Sequence, residues 1–512
     1  MDSTSVPQSP IEIHHEEQPA LINGGTWRNI QGGWIRECIG GEHAISYNQN
    51  VRDGHTELTC EVPFSVSVST AEVIQRVRNT WLTCHASHPE IAIQLTTGRE
   101  LPQMMKFEQL HSDADVAEWL QDTFEVVRDR SARDVVNMTY SRRLPTKGKR
   151  SMFYLVTAGN ADPANPTRHH LVWNMGHAIA DAYSVVLLYN HILSTITRVP
   201  GDRDLTVRDL DYRGILGRLP ISPLTPYQKK YKPTQNDVQD SLNDALAQSN
   251  LYTSNMSKSL AMYPEPDMAD REHKTHCIRL QYTLEESKAL LAGLREEKLS
   301  ITFAAAAATV LAVKQVYGKG HETGALLGMT RNARRWIDTS KQTGNSVPNA
   351  ADTVLLWVPF KEEWFRGSTR DTILSLGRAI KNQLGPHLVS PHYLSSISFG
   401  ADRYVASLAA SDEPSGAPCP PGFSPQGAIP LGRSFSSETA SIEVHDIVHT
   451  GRQIHDSAWV GMFSLWDQVT LSMGFDGKYY DPMRMDTFMG LTKSNLASLI
   501  SPRYLRGITS KL

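Results

Sequence analysis

The sequence predicts an α/β (α+β) protein of two lobes. The chain has 512 residues, which is enough for two large lobes or about three domains. Segments with strand character and segments with helical periodicity occur in both halves. Between the halves lies a polar, proline-rich stretch that is typical of a connection between lobes. We therefore expect a loose tail (1–24), a first lobe (25–215), a linker (216–270) and a second lobe (271–509).

The first half predicts strands and helices on either side of one loop. Its predicted elements are a strand-rich region at 33–68, a helix from the capping-box residues Ser69 and Glu72 to about Cys84, strands at 151–157 and 170–175, and a helix at 182–193. The chain therefore passes from a buried strand through a short loop into an apolar helix near residue 181.

The second half begins with a strand and a capped helix. Its predicted elements are strands at 277–282, 324–330, 353–358 and 469–475, helices at 283–298 and 303–317, and a long loop at 411–433. Thr283 and Glu286 form the capping box of the first helix, and Gly318 closes the second.

Composition excludes several classes of function. Lys and Arg number 51 against 54 Asp and Glu, and the net charge of −3 provides no positive field for binding nucleic acid. The longest nearly continuous apolar run, residues 303–313, is shorter than the roughly 18 to 20 residues that span a membrane. The five cysteines are sparse and predict neither a disulfide framework nor a zinc site. The polar, acidic N-terminus does not predict export.

The chain ends in Ser510-Lys511-Leu512, the tripeptide that a peroxisomal import receptor reads at a free C-terminus. Arg503 and Arg506, just upstream, are expected to keep this tail solvated. We therefore expect a peroxisomal location, and otherwise a cytoplasmic one.

One pattern carries candidate chemistry, the HxxxD motif His177-Ala-Ile-Ala-Asp181. The spacing alone is a weak signal, because the chain also contains His111-Ser-Asp-Ala-Asp115 in a polar, acidic stretch where a solvated histidine is expected. His177 instead follows an apolar strand and precedes an apolar helix. The ordinary alternative for such a position is an interior histidine held by hydrogen bonds.

A series of short segments accompanies this motif in a definite order. The segments are His88-Pro89 after a helix ending near Trp81, Asn174-Met-Gly-His177-Ala-Ile-Ala-Asp181, Ile301-Thr-Phe-Ala, Met329-Thr-Arg331-Asn-Ala-Arg334, Gly344-Asn345 and Val354-Leu-Leu-Trp-Val-Pro-Phe360, with fainter support from 471–488. In this order the chain resembles the acyltransferase superfamily with the chloramphenicol-acetyltransferase fold, which includes plant BAHD acyltransferases and peptide-synthetase condensation domains. It is most similar there to fungal O-acyltransferases such as trichothecene 15-O-acetyltransferase.

The resemblance implies two chloramphenicol-acetyltransferase-like lobes, each a mixed sheet with covering helices, and an active-site channel at their interface. It implies that His177 is the general base, which takes the proton of an acceptor hydroxyl during attack on an acyl-thioester. Imidazole suits this step because its ordinary pKa of about 6.5 leaves it mostly neutral near pH 7. The resemblance also gives Asp181 a structural role beside an arginine of the second lobe, for which Arg331 is the best match and Arg334 the second.

The chain departs from two branches of this superfamily. Condensation domains usually read H-H-x-x-x-D-G, whereas Gly176 and Ala182 occupy the first and last of these positions, which argues against peptide-bond synthesis on carrier proteins. The plant D-F-G-W-G motif is absent. A hydroxyl or backbone N–H facing His177 is expected to stabilise the oxyanion, and Ser436 or Ser437 is the candidate, with strand-capping serines as the alternative.

A second group of histidines does not predict a metal site. The group contains His445, His449 and His455 with Asp446 and Asp456. Their four-residue spacing suits ligands on a helix, whereas residues 442–448 alternate as a strand does.

The sequence thus predicts an acyl-CoA-dependent O-acyltransferase that esterifies a hydroxyl of a small-molecule secondary metabolite, such as a terpenoid or a glycolipid. Acyl-CoA is the expected co-substrate, and no metal or other cofactor is expected. Peroxisomes contain acyl-CoA from fatty-acid breakdown, which agrees with the C-terminal tripeptide. Two alternatives stay open: amide formation with an amine acceptor, and a scaffold of the same fold that binds a ligand or steers its cyclisation without acyl transfer.

Overall fold

The computed structural model of the protein describes residues 25–145, 148–159, 168–267, 270–337, 349–389, 393–410 and 418–501. The predicted tail (1–24), the segment Gly344-Asn345 and the tripeptide Ser510-Lys511-Leu512 lie outside these ranges.

Strands and helices alternate through both halves of the chain. The strands are β1 (Arg28–Ile30), β2 (Gly33–Glu37), β3 (Leu58–Val66), β4 (Gln94–Leu95), β5 (Met104–Glu108), β6 (Phe124–Val127), β7 (Ser151–Val156), β8 (His169–Met175), β9 (Ser259–Leu260), β10 (Thr275–Gln281), β11 (Gly324–Asn332), β12 (Ala351–Pro359), β13 (Gly422–Ala428), β14 (Ser434–Ser436), β15 (Ser441–Val444), β16 (Val448–Gly451), β17 (Trp459–Leu465) and β18 (Gln468–Asp476). The helices are α1 (Gly41–Val51), α2 (Thr70–Ser87), α3 (Asp113–Thr123), α4 (Ala132–Ser141), α5 (Ala182–Ile196), α6 (Leu224–Tyr231), α7 (Gln235–Asn255), α8 (Leu284–Glu296), α9 (Ile301–Tyr317), α10 (Thr369–Val389), α11 (Tyr393–Ala410) and α12 (Pro482–Ala497).

Two large sheets and one small sheet organise the described residues. The first sheet has the order β14-β15-β3-β8-β7-β6, and β16 pairs with the same edge of β3 as β15. The second sheet has the order β10-β18-β17-β13-β11-β12, with β9 beside β11. The small sheet has the order β1-β2-β5-β4. Because each large sheet mixes parallel and antiparallel pairs and is covered by helices, the predicted two-lobe α/β (α+β) fold is confirmed.

The second half of the chain contributes strands to both large sheets. After β13, the chain leaves the second sheet, forms β14, β15 and β16 in the first sheet, and returns to the second sheet as β17. Residues 434–451 of the predicted second lobe (271–509) therefore belong to the first sheet. The predicted linker (216–270) contains α6, α7 and β9, and β9 pairs with β11 of the second sheet.

Several predicted elements are observed on both sides of the HxxxD motif and in the second lobe, and others were missed. β7, β8, α5, α8 and α9 end within a few residues of their predicted ends. The strand-rich region 33–68 contains α1, the loop 411–433 contains β13, and the polar linker contains the long helix α7. Apolar periodicity does not reveal α1, because its buried side chains, such as Gln49 and Asn50, are polar.

Aromatic packing fixes the strand that leads to the motif. β7 and β8 are buried along their whole length. The Trp81 ring of α2 stacks on Phe153 of β7, with centroids 4.5 Å apart and planes at 4°, and meets the edge of Trp173 of β8 at 6.2 Å. Such aromatic contacts stabilise a core beyond the area they bury. The end of β8 is therefore held at a fixed position.

The alanine-rich helix α9 is the central helix of the second lobe. Residues 304–308 are fully buried, and α9 packs against α10 and α12. Small side chains allow this close approach. Within the described ranges, no single helix is long and apolar enough to cross a membrane, and α8 and α9 meet that test only as a pair bent by 99°.

Candidate active site

The HxxxD loop (residues 176–181) connects the end of β8 to the start of α5. After Gly176, a short 3-10 turn carries His177, and Asp181 is the N-cap residue of α5. The Asp181 carboxylate accepts the backbone N–H of Ser184 at 2.9 Å and its hydroxyl at 3.1 Å. An aspartate here satisfies an otherwise unpaired helix N–H, so the helix start itself fixes the loop.

One nitrogen of the His177 ring is held by a hydrogen bond and the other is not. Nδ1 lies 2.9 Å from the carbonyl oxygen of Ala180 and 3.4 Å from Nδ2 of Asn349, which donates to the closer His177 carbonyl at 2.8 Å. A carbonyl can only accept a hydrogen bond, so Nδ1 carries the proton in the neutral ring and Nε2 presents a lone pair. Nε2 has no hydrogen-bond partner among the described residues, and His177 is half-buried. This is the tautomer that a base acting through Nε2 requires.

Two buried amide side chains fix the peptide groups of His177. Asn349, just before β12, donates from Nδ2 to the His177 carbonyl at 2.8 Å. The Gln49 amide of α1 lies 3.0 Å from the His177 N–H and 3.2 Å from the Glu57 N–H, and accepts both when its oxygen faces them. Gln49 is fully buried and Asn349 is 5% exposed. Sequence reasoning missed both residues, because no local motif marks a contact made through tertiary structure.

The Asp181 carboxylate forms a bidentate ion pair with Arg334. The guanidinium nitrogens Nη1 and Nη2 lie 2.8 and 2.9 Å from Oδ2 and Oδ1. Oδ2 also accepts the N–H of Ala350 at 2.9 Å. Burial would raise the pKa of Asp181, but Arg334 and the N–H groups of Ser184 and Ala350 together lower it. The carboxylate is therefore charged and ties the loop to the second lobe.

The prediction that Arg331 is the partner of Asp181 is wrong, and its second choice, Arg334, is the observed one. Arg331 instead pairs with Asp352 of β12 at 2.7 Å, its register partner across the two strands. Burial raises the pKa of Asp352 to about 6, against the attraction of Arg331. Arg334 follows the end of β11 in a short turn, where it can reach the first lobe.

A buried carboxyl group lies behind the HxxxD loop. Glu57 is fully buried, and its Oε2 accepts the N–H of Leu144 at 2.9 Å. The guanidinium groups of Arg150 and Arg143 lie 3.8 and 3.9 Å from Oε1. Burial raises the pKa of Glu57 to about 7, although these three groups oppose the shift. Its charge therefore changes near neutral pH.

The glycine before His177 is a packing requirement. A Cβ atom on Gly176 would lie 3.1 Å from Cβ of Arg150 and 3.4 Å from the Gln49 amide. A histidine at this position, as in condensation domains, would have to displace the Arg150 side chain. The departure from the H-H-x-x-x-D-G pattern thus has a local steric cause.

Ser436 and Ser437 lie at the opposite end of the first sheet from the HxxxD loop. β14 reaches β3 through β15 at the Val66 end, whereas the Leu58 end of β3 pairs with Met175 beside the loop. The nine residues of β3 separate these ends by about 26 Å. Ser437 donates its hydroxyl to a backbone carbonyl nearby. The prediction that one of these serines stabilises the oxyanion is therefore wrong.

The second histidine group makes structural contacts. Its members bond as follows: His445 to the Ser65 hydroxyl at 2.7 Å, His449 to the Gln426 amide, and His455 to Asp456 at 2.5 Å. In the part of the chain that the structure describes, no group of three or more His, Cys, Asp or Glu could hold a metal ion.

A pocket opens beside the HxxxD loop. It is shallow and is lined by Gly41, Leu224, Asn349 and Leu394. Asn349 contacts both this pocket and His177. The pocket therefore lies one side chain away from the histidine loop.

Comparison with known proteins places the chain among acyl-transferring enzymes. No family model matches the chain. It is 32% identical to the acyl-CoA-dependent acyltransferase MAC1 of Pseudozyma antarctica over 92% of this chain and 95% of that protein. It is 29% identical to the protein of the same name from Mycosarcoma maydis, over 94% and 91% of the two chains.

The fold also has a solved counterpart. The TRI3 trichothecene 15-O-acetyltransferase of Fusarium sporotrichioides superposes with a TM-score of 0.78 and 13% identity, over 93% of this chain and 98% of that one. This similarity confirms the chloramphenicol-acetyltransferase-like fold and the predicted resemblance to fungal O-acyltransferases.

Proposed function

Because the chain belongs to the family of fungal acyl-CoA-dependent acyltransferases, we propose that it transfers an acyl group from acyl-CoA to a hydroxyl of a small-molecule secondary metabolite, with His177 as general base. The enzyme is an acyltransferase, and acyl-CoA is its co-substrate. The observation that carries the proposal is the His177 ring, whose Nδ1 is held by the Ala180 carbonyl while Nε2 stays free.

The reaction needs no acyl-enzyme. Nε2 of His177 accepts the proton of the acceptor hydroxyl as the acceptor oxygen forms a bond to the thioester carbonyl carbon. The carbonyl oxygen becomes an oxyanion, and the C–S bond breaks as the C=O bond re-forms. The imidazolium then gives its proton to the departing thiolate of CoA. One side chain thus acts as base and then as acid, a role for which imidazole is suited.

Asp181 acts through the loop and does not touch the substrate. Its carboxylate bonds to Arg334 and to the N–H groups of Ser184 and Ala350, which use both of its oxygens. It therefore has no free oxygen directed at the His177 ring. Its role in the proposal is to hold the histidine loop against the second lobe.

The acceptor is proposed to be a terpenoid or a glycolipid. The name of the structurally similar TRI3 protein, a trichothecene 15-O-acetyltransferase, supports a hydroxyl acceptor of the secondary-metabolite kind. The half-buried position of His177, in a loop between the buried strand β8 and the apolar helix α5, supports a small molecule over a macromolecule.

The test measures thiol release and product together. Purified protein is incubated with a panel of acyl-CoAs and hydroxylated acceptors, free CoA thiol is titrated, and the product is identified by mass spectrometry. His177→Ala should lower acceptor-dependent thiol release by a factor of about 10² to 10⁴ while the unfolding midpoint stays near that of the wild type. Ser437→Ala is the matched control, because Ser437 lies at the far end of the first sheet, and it should keep full turnover.

Each other outcome points to a different function. An amide product with amine acceptors would replace the ester assignment. Full thiol release by His177→Ala would contradict the role of the histidine. Tight ligand binding without thiol release by the wild type would identify a binding scaffold in place of a transferase.

We also propose that the protein acts in peroxisomes. The support is the tripeptide Ser510-Lys511-Leu512, which an import receptor reads at a free C-terminus. A fluorescent reporter that ends in residues 501–512 should enter peroxisomes, and the same reporter with Leu512→Asp should not. A cytosolic distribution of the first reporter would contradict the proposal.

A further inference from the structure

One face of the second sheet is directed towards the first lobe. On β11, β13, β17 and β18, alternate residues such as Met329, Phe423, Val460 and Met473 form the core of the second lobe. Side chains on a strand alternate between two faces, so the residues between them point the other way. We call this the inner face, because Phe463 on the same side packs in the core of the first lobe.

An indole ring lies flat on the inner face. Gly328, Gly422 and Trp459 are register neighbours on three adjacent strands. A Cβ atom on Gly422 would lie 2.4 Å from the Trp459 ring, and one on Gly328 would lie 3.0 Å from it. These two glycines therefore allow the ring to lie across the strands. The ring is partly exposed, and its N–H has no hydrogen-bond partner among the described residues.

Two hydroxyl groups lie in the neighbouring row of the inner face. Thr330 donates its hydroxyl proton to the oxygen of Ser424 at 2.9 Å, and both residues are partly exposed. The proton of Ser424 and a lone pair of Thr330 remain for another partner. β16 covers the part of the inner face that β18 forms, and there Thr450 lies close to Gly474. The indole and the hydroxyl pair thus form an accessible part of a mostly covered surface.

The strand register relates this surface to the histidine loop. Asn349 bonds to the His177 carbonyl and leads directly into β12. Four residues further along β12, Thr353 pairs with Thr330 of β11. At the spacing of an extended strand, Thr330 is about 13 Å from Asn349, a distance that one small molecule can span.

We propose that Trp459, Ser424 and Thr330, hereafter the acceptor surface, bind the acceptor of the acyl transfer, an inference that rests on the proposed function. The acceptor is a molecule with an apolar ring face, which packs on the indole, and hydroxyl groups, which bond to Ser424 and Thr330. Indole rings suit such mixed ligands because they combine an apolar body with a polar N–H.

The chemistry of the surface separates the acceptor from acyl-CoA. Arg279 is the cationic residue in the row of register neighbours that contains Ser424. Its guanidinium is paired with the Asp446 carboxylate at 2.6 and 2.8 Å, so it does not supply a free charge for the CoA phosphates. An alkyl chain on this surface would cover the proton of Ser424 and the remaining lone pair of Thr330 without bonding to them, which is unfavourable. Neither part of acyl-CoA therefore fits the surface as well as a hydroxylated acceptor does.

The test compares two tryptophans of the same sheet. Trp357 is the matched control, because it also lies over a glycine, Gly324, but stands on the edge strand against Lys258. n-Octyl glucoside below its micelle concentration serves as the acceptor probe and free CoA as the donor probe, with both affinities measured by calorimetry. Trp459→Leu should weaken glucoside binding about tenfold and leave CoA binding unchanged, whereas Trp357→Leu should change neither.

Ser424→Ala and Thr330→Val test the hydroxyls with smaller changes to the fold. Each should weaken glucoside binding several-fold, with unfolding midpoints that show the variants are folded. Weaker CoA binding with unchanged glucoside binding would overturn the assignment in favour of the donor, and no glucoside binding by the wild type would overturn the acceptor class. Because binding requires no turnover, these results are independent of thiol release, on which the proposed function depends.

Discussion

The interaction energy of the ion pair between Asp181 and Arg334 can be measured separately from that of the nearby pair between Arg331 and Asp352. Asp181→Asn, Arg334→Met and the double variant form one mutant cycle. The two side chains are 5% and 15% exposed, so the pair is largely desolvated. Breaking a buried pair by removing one partner costs about 3 to 5 kcal/mol. The Ser184 and Ala350 N–H groups still bond the carboxylate, so we expect Arg334→Met to lie near the lower end, about 3 kcal/mol.

The mutant cycle measures the coupling free energy between Asp181 and Arg334. The double variant should be less destabilised than the sum of the single variants by about 2 kcal/mol, because residues in direct contact couple by such amounts. Urea unfolding followed by tryptophan fluorescence measures this value. Arg331→Met is the matched control, since Arg331 lies three residues away and pairs with Asp352. Its coupling to Asp181 should be below about 0.5 kcal/mol.

The pH dependence of this coupling has a defined sign. The pKa of Asp181 is lowered in the folded protein, so its contribution is present above the unfolded value of about 3.9 and is lost as pH falls through the folded value. The coupling should therefore be constant from pH 5 to pH 8. A coupling of Asp181 with Arg331 that equals or exceeds that with Arg334 would refute the pairing and the loop geometry built on it.

Two further predictions follow from the surroundings of His177. Asn349→Ala removes the hydrogen bond to the His177 carbonyl and should lower kcat about tenfold with little change in KM in steady-state kinetics. Asn349→Asp keeps the bond to the Ala351 N–H but cannot donate to His177, so it should lower kcat in the same way. The raised pKa of Glu57 favours the protonated folded state, so the stability of the wild type relative to Glu57→Gln should fall as pH rises from about 4.5 to about 7 in melting curves recorded against pH. Activity of Asn349→Ala equal to wild type, or an unchanged pH slope in Glu57→Gln, would contradict the respective prediction.

The local parts of the site could be predicted from the sequence, and the partners across the molecule could not. The passage from β8 through the HxxxD loop into α5 depends on an apolar strand, a capping aspartate and an apolar helix, all contiguous in the chain. The choice between Arg331 and Arg334 depends on where β11 ends. Because β11 continues to Asn332, Arg331 stays in the strand opposite Asp352, and only Arg334 in the following turn can reach Asp181.

The error on Ser436 and Ser437 has a topological cause. Both serines lie in the second half of the chain. The strand exchange places them in the first sheet, beyond the far end of β3. The short, polar strand β14 carries no sequence signal of its partner, because register is set by tertiary pairing. Similarly, Gln49, which accepts the His177 N–H, could not be predicted, because the buried face of α1 is mostly polar and shows no apolar periodicity.

The histidine loop depends on both halves of the chain. Gln49 and the start of α5 hold it from the first half, whereas Asn349, Ala350 and Arg334 hold it from the second. These bonds require the end of β11 and the start of β12 to stay at a fixed distance from β8. The exchanged strands β14, β15 and β16 supply this constraint, because they pair along β3, the neighbour of β8, and connect at both ends to the second sheet. The His177 ring is therefore positioned by the association of the two lobes, and a separated first lobe would lose three of the groups that hold its loop.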